Sequence, residues 1–303
     1  MSERNTLWGI DLGGTKIEGV ILKSKEEPEV LLRKRIATEA DKGYQHIINQ
    51  IQLLINQMAE EIGFKPISIG IGTPGSTDPE SGLLKNSNST NLNHNPLHRD
   101  LEKLLKIPVF MANDANCFAV AETQMGIVKE KFPKAEVVFG VIMGSGVGGG
   151  LIINGKVWNG KHGIAGEWGH IFLDEEGEDC YCGKHGCVET ILAGKALERY
   201  YKKISGKDKK LKDIMADKSD DEFAQRTYER LIHFFGKGLS VIINVIDPDV
   251  IIIGGGVGNI PYLYGEGVES VKQFTFNPDM KTPILKPKLG DSAGVFGAAF
   301  LNS

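Results

Sequence analysis

Residues 8–22 read WGIDLGGTKIEGVIL and residues 139–153 read FGVIMGSGVGGGLII, and the two stretches carry one pattern. Each is a short apolar strand, a turn built on glycine, and a second apolar strand. In register, Trp8 stands with Phe139 and Gly13-Gly14-Thr15 with Gly144-Ser145-Gly146. Glycine lets such a hairpin turn tightly and lets a ligand come close to its backbone. One copy in each half of the chain implies two related α/β domains, each opening with a hairpin that could face a shared cleft. The competing explanation is two unrelated hairpins, since glycine turns are common.

Between the hairpins, Ile47, Ile51, Leu54, Met58 and Ile62 recur at helical spacing, predicting a helix over 43–63 that Gly63 stops. Residues 67–72 read as a strand, 76–95 as a polar loop, 97–105 as a helix and 107–111 as a strand. Asn113-Asp114-Ala115-Asn116 follows, with a helix expected over 119–125. Strand ends of this kind open onto the ligand crevice of α/β folds, which makes Asp114 a candidate for chemistry. The competing role is capping, by Asn113 or Asp114. Farther on, 223–246 reads as a long amphipathic helix interrupted at Gly236 and Gly238. A buried strand over 250–253 leads into Gly254-Gly255-Gly256, a backbone against which a nucleotide can lie. A strand over 283–289 and a capped, small-residue helix over 290–299 close the chain.

Residues 166–190, GEWGHIFLDEEGEDCYCGKHGCVET, hold three of the four cysteines. Cys180, Cys182 and Cys187 with His170 match a tetrahedral Cys3His zinc set. A reactive cysteine cluster or a disulfide is the alternative, and His185 competes with His170 as the nitrogen ligand. Glu167 and Glu189 bracket the cluster, which suggests that the metal holds a substrate pocket in shape.

With 303 residues, the chain has room for two domains. A hydrophobic content of 41% and a charged content of 24% are ordinary for a globular protein. A net charge of −4 gives no footprint for nucleic acid, and the lysine-rich run 202–212 reads as a solvated face. No apolar run approaches the roughly 20 residues of a membrane span. The polar start enters a strand without a secretory h-region, and the clustered cysteines suit a reducing compartment, so a cytoplasmic location is expected.

DLGGTK at 11–16, NDAN at 113–116, GSGVGGG at 144–150, EWGH at 167–170, CYCGKHGCVE at 180–189 and GGG at 254–256 together resemble the ROK family of sugar kinases and related repressors. NSNST at 86–90, AGEWGH at 165–170, NVIDPDVIIIGGG at 244–256 and GDSAGVFGAA at 290–299 look most like its manno(fructo)kinase branch. The resemblance implies an actin-like, hexokinase-like ATPase fold with a cleft between an N-terminal domain, 1–118 with 290–303, and a larger one, 119–289, that carries the zinc loop. It implies a homodimer and transfer of the ATP γ-phosphate to the 6-hydroxyl of fructose or mannose. Glucokinase and N-acetylhexosamine kinase are the alternatives within the family. A sugar-responsive regulator is the alternative outside catalysis, though DLGGT begins too early for a preceding DNA-binding module. By the same resemblance Asp114 is the general base, and Asn88, Asn113, Asp114, Glu167, His170 and Glu189 contact sugar. Asp11, Gly13, Gly14, Thr15, Lys16, Gly144, Ser145, Gly146, Gly254, Gly255 and Gly256 serve ATP and Mg2+. Cys180, Cys182, Cys187 and His170 hold a structural Zn2+, and the second ring nitrogen of His170 is left for a sugar oxygen.

Overall fold

The computed structural model describes residues 5–87, 89–277 and 279–303. The chain divides into two compact units, one of Met1–Lys134, Gly150–Ala165 and Lys288–Ser303, the other of Ala135–Gly149 and Gly166–Pro287. In the first unit β1 (Leu7–Leu12) and β2 (Lys16–Leu22) form the expected hairpin, and β3 (Val30–Ala37) pairs with β2. Helix α1 (Tyr44–Ile62) buries Ile47, Ile51, Leu54 and Met58, the stripe its spacing predicts, and stops at Gly63 with φ 89. Strand β4 (Ile69–Thr73) runs parallel to β1. A small hairpin of β5 (Ser76–Thr77) and β6 (Leu84–Lys85) and helix α2 (Leu97–Leu105) lead to β7 (Val109–Asn113), parallel to β4. The sheet order is β3-β2-β1-β4-β7. Helix α3 (Asp114–Gln124) starts at Asp114 itself, five residues ahead of the expected start at 119, and α4 (Ile127–Lys131) follows.

The second unit opens with β8 (Val137–Met143), and the next strand β9 (Val147–Ile153) passes from the second unit into the first. There β10 (Lys156–Val157) folds back on it through Asn154 and Gly155, both at positive φ as a tight hairpin turn requires. Helices α5 (Val188–Leu192), α6 (Gly194–Ser205) and α7 (Leu211–Ala216) precede α8 (Glu222–Ile246). The expected interruption of α8 is absent. At Gly236 a Cβ would stand 2.1 Å from Ser270 Oγ, and at Gly238 it would stand 3.1 Å from the Trp168 ring. These glycines admit close neighbours instead of breaking the helix, and the Trp168 indole N–H donates to Gly238 O at 3.0 Å. Strand β11 (Val250–Gly254) pairs in parallel with β8, and after α9 (Gly255–Gly258) and α10 (Glu266–Phe274) the short β12 (Ile284–Leu285) pairs with β11.

The strand expected over 283–289 shrinks to two residues because the backbone beyond it has another partner. The N–H groups of Lys288 and Leu289 donate to the fully buried Glu122 of α3, at 3.0 and 2.8 Å, and Ile127 N donates to the same carboxylate at 2.9 Å. The chain then re-enters the first unit as α11 (Ala293–Ala299), where the small residues do what their composition predicts. A Cβ on Gly70 of β4 would lie 1.7 Å from Ala298 O, and one on Gly297 would lie 1.7 Å from Cys117 O. Only bare backbone fits at both contacts. Residues 119–134, placed beyond the first boundary by the sequence reading, belong to the first unit in this division. Among the described residues no helix is long and apolar enough to cross a membrane.

Candidate active site and metal loop

The two glycine turns close through bonds of different span. Gly13 N–H donates to Lys16 O at 3.0 Å, and Gly144 N–H donates to Gly146 O at 2.9 Å. Both N–H groups, candidates for phosphate contact, bond within their turns in this structure. In the first unit this leaves the exposed Gly14, Thr15 and Lys16 at the tip of the β1–β2 turn. The 86–95 loop lies beside that tip, since a Cβ on Gly14 would be 3.4 Å from Ser89 Oγ. Asn88 of this loop lies outside the described residues.

Asp11 is the penultimate residue of β1 and Asp114 begins α3. The capping question at 113–116 resolves clearly: Asn113 is the N-cap, its Oδ1 accepting from Asn116 N at 2.8 Å. Asp114 is thereby relieved of the role, and its Oδ1 accepts the adjacent Ala115 N–H at 2.8 Å. Burial pushes the Asp11 carboxyl up to about 6, helped by the negative charges of Asp114 and Glu18 and opposed by Lys16 and Arg35. Burial also raises Asp114, against the pull of the Ala115 N–H. Asp114 keeps contact with solvent, but protein surrounds it densely enough for desolvation to dominate. Glu18, buried beneath the hairpin, is held ionised by Arg33 and Arg35 against its own desolvation.

In the second unit, Gly255 has φ 81, and a Cβ there would stand 2.3 Å from Met143 O. Only Gly256 of the glycine triplet faces open space, and with Gly144 and Ser145 it lines a cavity of about 920 Å³. Leu211, Met215 and Tyr262 form its apolar walls, with Lys210 and Lys212 also lining it. Lys210 and Lys212 are exposed, as a solvated face requires. Gly146 turns instead towards Glu189, whose Oε2 accepts from Val147 N at 2.9 Å. That bond ties α5 to the β8–β9 turn.

His170, Cys180, Cys182 and Cys187 bring their ligand atoms within 4.8 Å of one another. Cys182 Sγ lies 3.6 Å from Cys187 Sγ, and Cys180 Sγ lies 3.5 Å from His170 Nδ1. Tetrahedral bonds of about 2.3 Å to sulfur and 2.1 Å to nitrogen give edges of roughly 3.6–3.8 Å, so the set fits a metal. All four cysteines are free, and the 3.6 Å between the Cys182 and Cys187 sulfurs is well beyond the roughly 2.05 Å of a disulfide. His185 leaves the competition, its ring bonded to Asp179 Oδ1 at 2.9 Å and Glu175 O at 3.2 Å. One expectation changes: His170 Nε2 meets the Tyr181 hydroxyl at 2.9 Å, so it is already engaged where a sugar oxygen was expected. Tyr181, read from the sequence only as the spacer between two cysteines, is the outer partner of the histidine. Burial pushes the Cys187 thiol up to about 12, helped by hydrogen bonds with Cys182 and Cys180; a metal taking these sulfurs would have to displace protons.

The chain is 35% identical over 309 residues to the N-acetyl-D-glucosamine kinase of Histophilus somni (strain 129Pt), covering 97% of this chain and 98% of that one. It is likewise 35% identical over 306 residues to the N-acetyl-D-glucosamine kinase of Vibrio cholerae serotype O1, with 97% and 99% covered. The crystal structure of the ROK hexokinase from Thermus thermophilus matches with a TM-score of 0.86 at 30% identity, over 98% of this chain and 97% of that one. A ROK family glucokinase from Streptomyces griseus, solved with glucose and AMPPNP, matches at 0.76 and 27%, over 98% and 99%. The manno(fructo)kinase branch expected from the motifs is not the one these curated relatives represent. The ROK family profile matches residues 7–303, and the chain belongs to the ROK family as one of its sugar kinases.

Proposed function

We propose that this protein transfers the γ-phosphate of ATP to the 6-hydroxyl of N-acetyl-D-glucosamine. The reaction rests on one observation above the others: Asp114 is fixed at the first residue of α3 by a neighbour that takes over the capping, and burial raises its carboxyl. A carboxylate so placed accepts the hydroxyl proton as that oxygen bonds to phosphorus and the ADP oxygen leaves. Mg2+ bound with the nucleotide would neutralise charge at the phosphates, and Asp11 is the residue that would hold it. The tip residues Gly14, Thr15 and Lys16 in the first unit, and Ser145 in the second, serve the phosphates. The cavity lined by Gly256 serves the nucleoside.

For the sugar, support comes from the 35% identity to N-acetyl-D-glucosamine kinases along nearly the whole chain. Asn113 and Asp114 in the first unit, and Glu167, Glu189 and the His170–Tyr181 pair in the second, are the residues assigned to it. His170, Cys180, Cys182 and Cys187 would hold a structural Zn2+ with every position filled by protein.

An ATP-coupled panel of N-acetyl-D-glucosamine, N-acetyl-D-mannosamine, glucose, fructose and mannose tests the reading. N-acetyl-D-glucosamine should show the highest kcat/KM. A higher value for fructose or mannose would overturn the sugar assignment, and full turnover in Asp114→Asn would overturn the base.

A further inference from the structure

The nucleotide cavity has two apolar walls from segments distant in sequence. One is α7, with Leu211 and Met215; the other is the 3-10 turn Pro261–Tyr264, with Tyr262. Lys218, two residues past the end of α7, reaches across to the second wall. Its Nζ lies 4.4 Å from the centroid of the Tyr262 ring and 4.1 Å from that of Tyr228. The two rings meet edge to face, centroids 5.3 Å apart at 77°. Tyr228 is buried in α8, and its hydroxyl donates to Glu266 of α10. The corner that receives the ammonium is therefore anchored on both helices. Among the described residues no carboxylate pairs with Lys218, so the rings are its counter-charge.

A cation over a ring orders both groups. With Lys218 over its ring, Tyr262 is held in one orientation while it lines the cavity, and the end of α7 is tied to the opposite wall. We propose that Tyr262 is the surface on which the purine of the nucleotide packs, and that Lys218 is a positioning residue that sets the width of the base slot. The inference rests on the reading that a nucleotide is the phosphoryl donor. An aromatic face takes any base by stacking, and removing one such contact weakens binding by roughly ten-fold or more. A cation–π link that only orients the ring acts more weakly.

The test uses the intact protein. ADP affinity is measured by calorimetry without sugar, and KM for the sugar acceptor by coupled assay, for wild type, Tyr262→Ala, Tyr262→Leu, Tyr262→Phe, Lys218→Met and Lys218→Arg. Tyr262→Ala and Tyr262→Leu should weaken ADP about ten-fold and Lys218→Met about three-fold, with the sugar KM within two-fold of wild type. Tyr262→Phe and Lys218→Arg should retain wild-type ADP affinity. Should Tyr262→Ala fail to fold, the leucine and Lys218→Met variants decide. Unchanged ADP affinity in those two, or ADP and sugar weakened in equal measure, would overturn the inference and leave the kinase reading standing. A wild-type protein that binds no ADP would overturn both.

Discussion

Replacing Asp11 with asparagine should remove activity and make the first unit more stable at pH 8. The carboxyl of Asp11 ordinarily titrates at 3.8 and is pushed up to about 6 by burial and by the charges of Asp114 and Glu18. The folded chain therefore holds this proton more tightly than the unfolded chain. Between 3.8 and about 6 the contribution of Asp11 to stability falls as pH rises, and above about 6 the whole penalty is present. Two units at about 1.4 kcal/mol each make it about 3 kcal/mol. For a unit of this size each kcal/mol moves the midpoint by about 2–4 °C, so the gain should be roughly 6–12 °C. Asparagine keeps the shape and discards the charge. Urea and thermal denaturation of wild type and Asp11→Asn, without ligands, at pH 8 and at pH 4 give the answer. The variant should be the more stable at pH 8, and the difference should shrink towards zero at pH 4, where the wild-type carboxyl is protonated in the fold. Equal stability at pH 8, or a gain unchanged at pH 4, would refute the reasoning. The stability gained measures what the native carboxylate sacrifices for function.

Other perturbations address single features. Asp114→Asn should lower kcat at least about a hundred-fold while calorimetry finds sugar binding intact. Cys182→Ser should reduce the zinc bound per chain, read by elemental analysis. Tyr181→Phe should keep the metal at rest yet release it to a chelator about ten-fold more readily, because the outer bond to His170 Nε2 is lost. Glu122→Ala leaves the N–H groups of Ile127, Lys288 and Leu289 without their acceptor, and should destabilise by about 3 kcal/mol or more in urea titration.

What the sequence made legible was what local chemistry dictates. The glycine hairpins could be read because a glycine-rich turn between two apolar strands occurs once in each half of the chain, although Gly13 and Gly144 close their turns through bonds of different span. The cluster of His170, Cys180, Cys182 and Cys187 could be read because its members lie at short spacing in the sequence, and the structure brings their ligand atoms within 4.8 Å of one another. Helix α1 followed from its stripe. Helix α8 was misread because glycine weakens an isolated helix, and only the tertiary neighbours Ser270 and Trp168 show why it is there. Strand β3 escaped notice because it lies at a sheet edge, partly exposed on both faces and carrying Arg33, Lys34 and Arg35. The cavity beside Gly256 was invisible for a different reason: α7 and the Pro261–Tyr264 turn meet only after folding. The choice of sugar depends on pocket geometry that motif spacing does not encode.

The closure of α11 on the first unit bears on how the protein is made. Gly70 and Gly297 are the bare-backbone contacts by which α11 packs on β4 and α3, and Glu122 accepts the N–H groups of residues 288 and 289. During synthesis the first unit emerges early but has no partner for that face until residues 288–299 have been made. The second unit, by contrast, is whole once residue 287 has left the ribosome. The unit begun first is thus expected to complete its packing last.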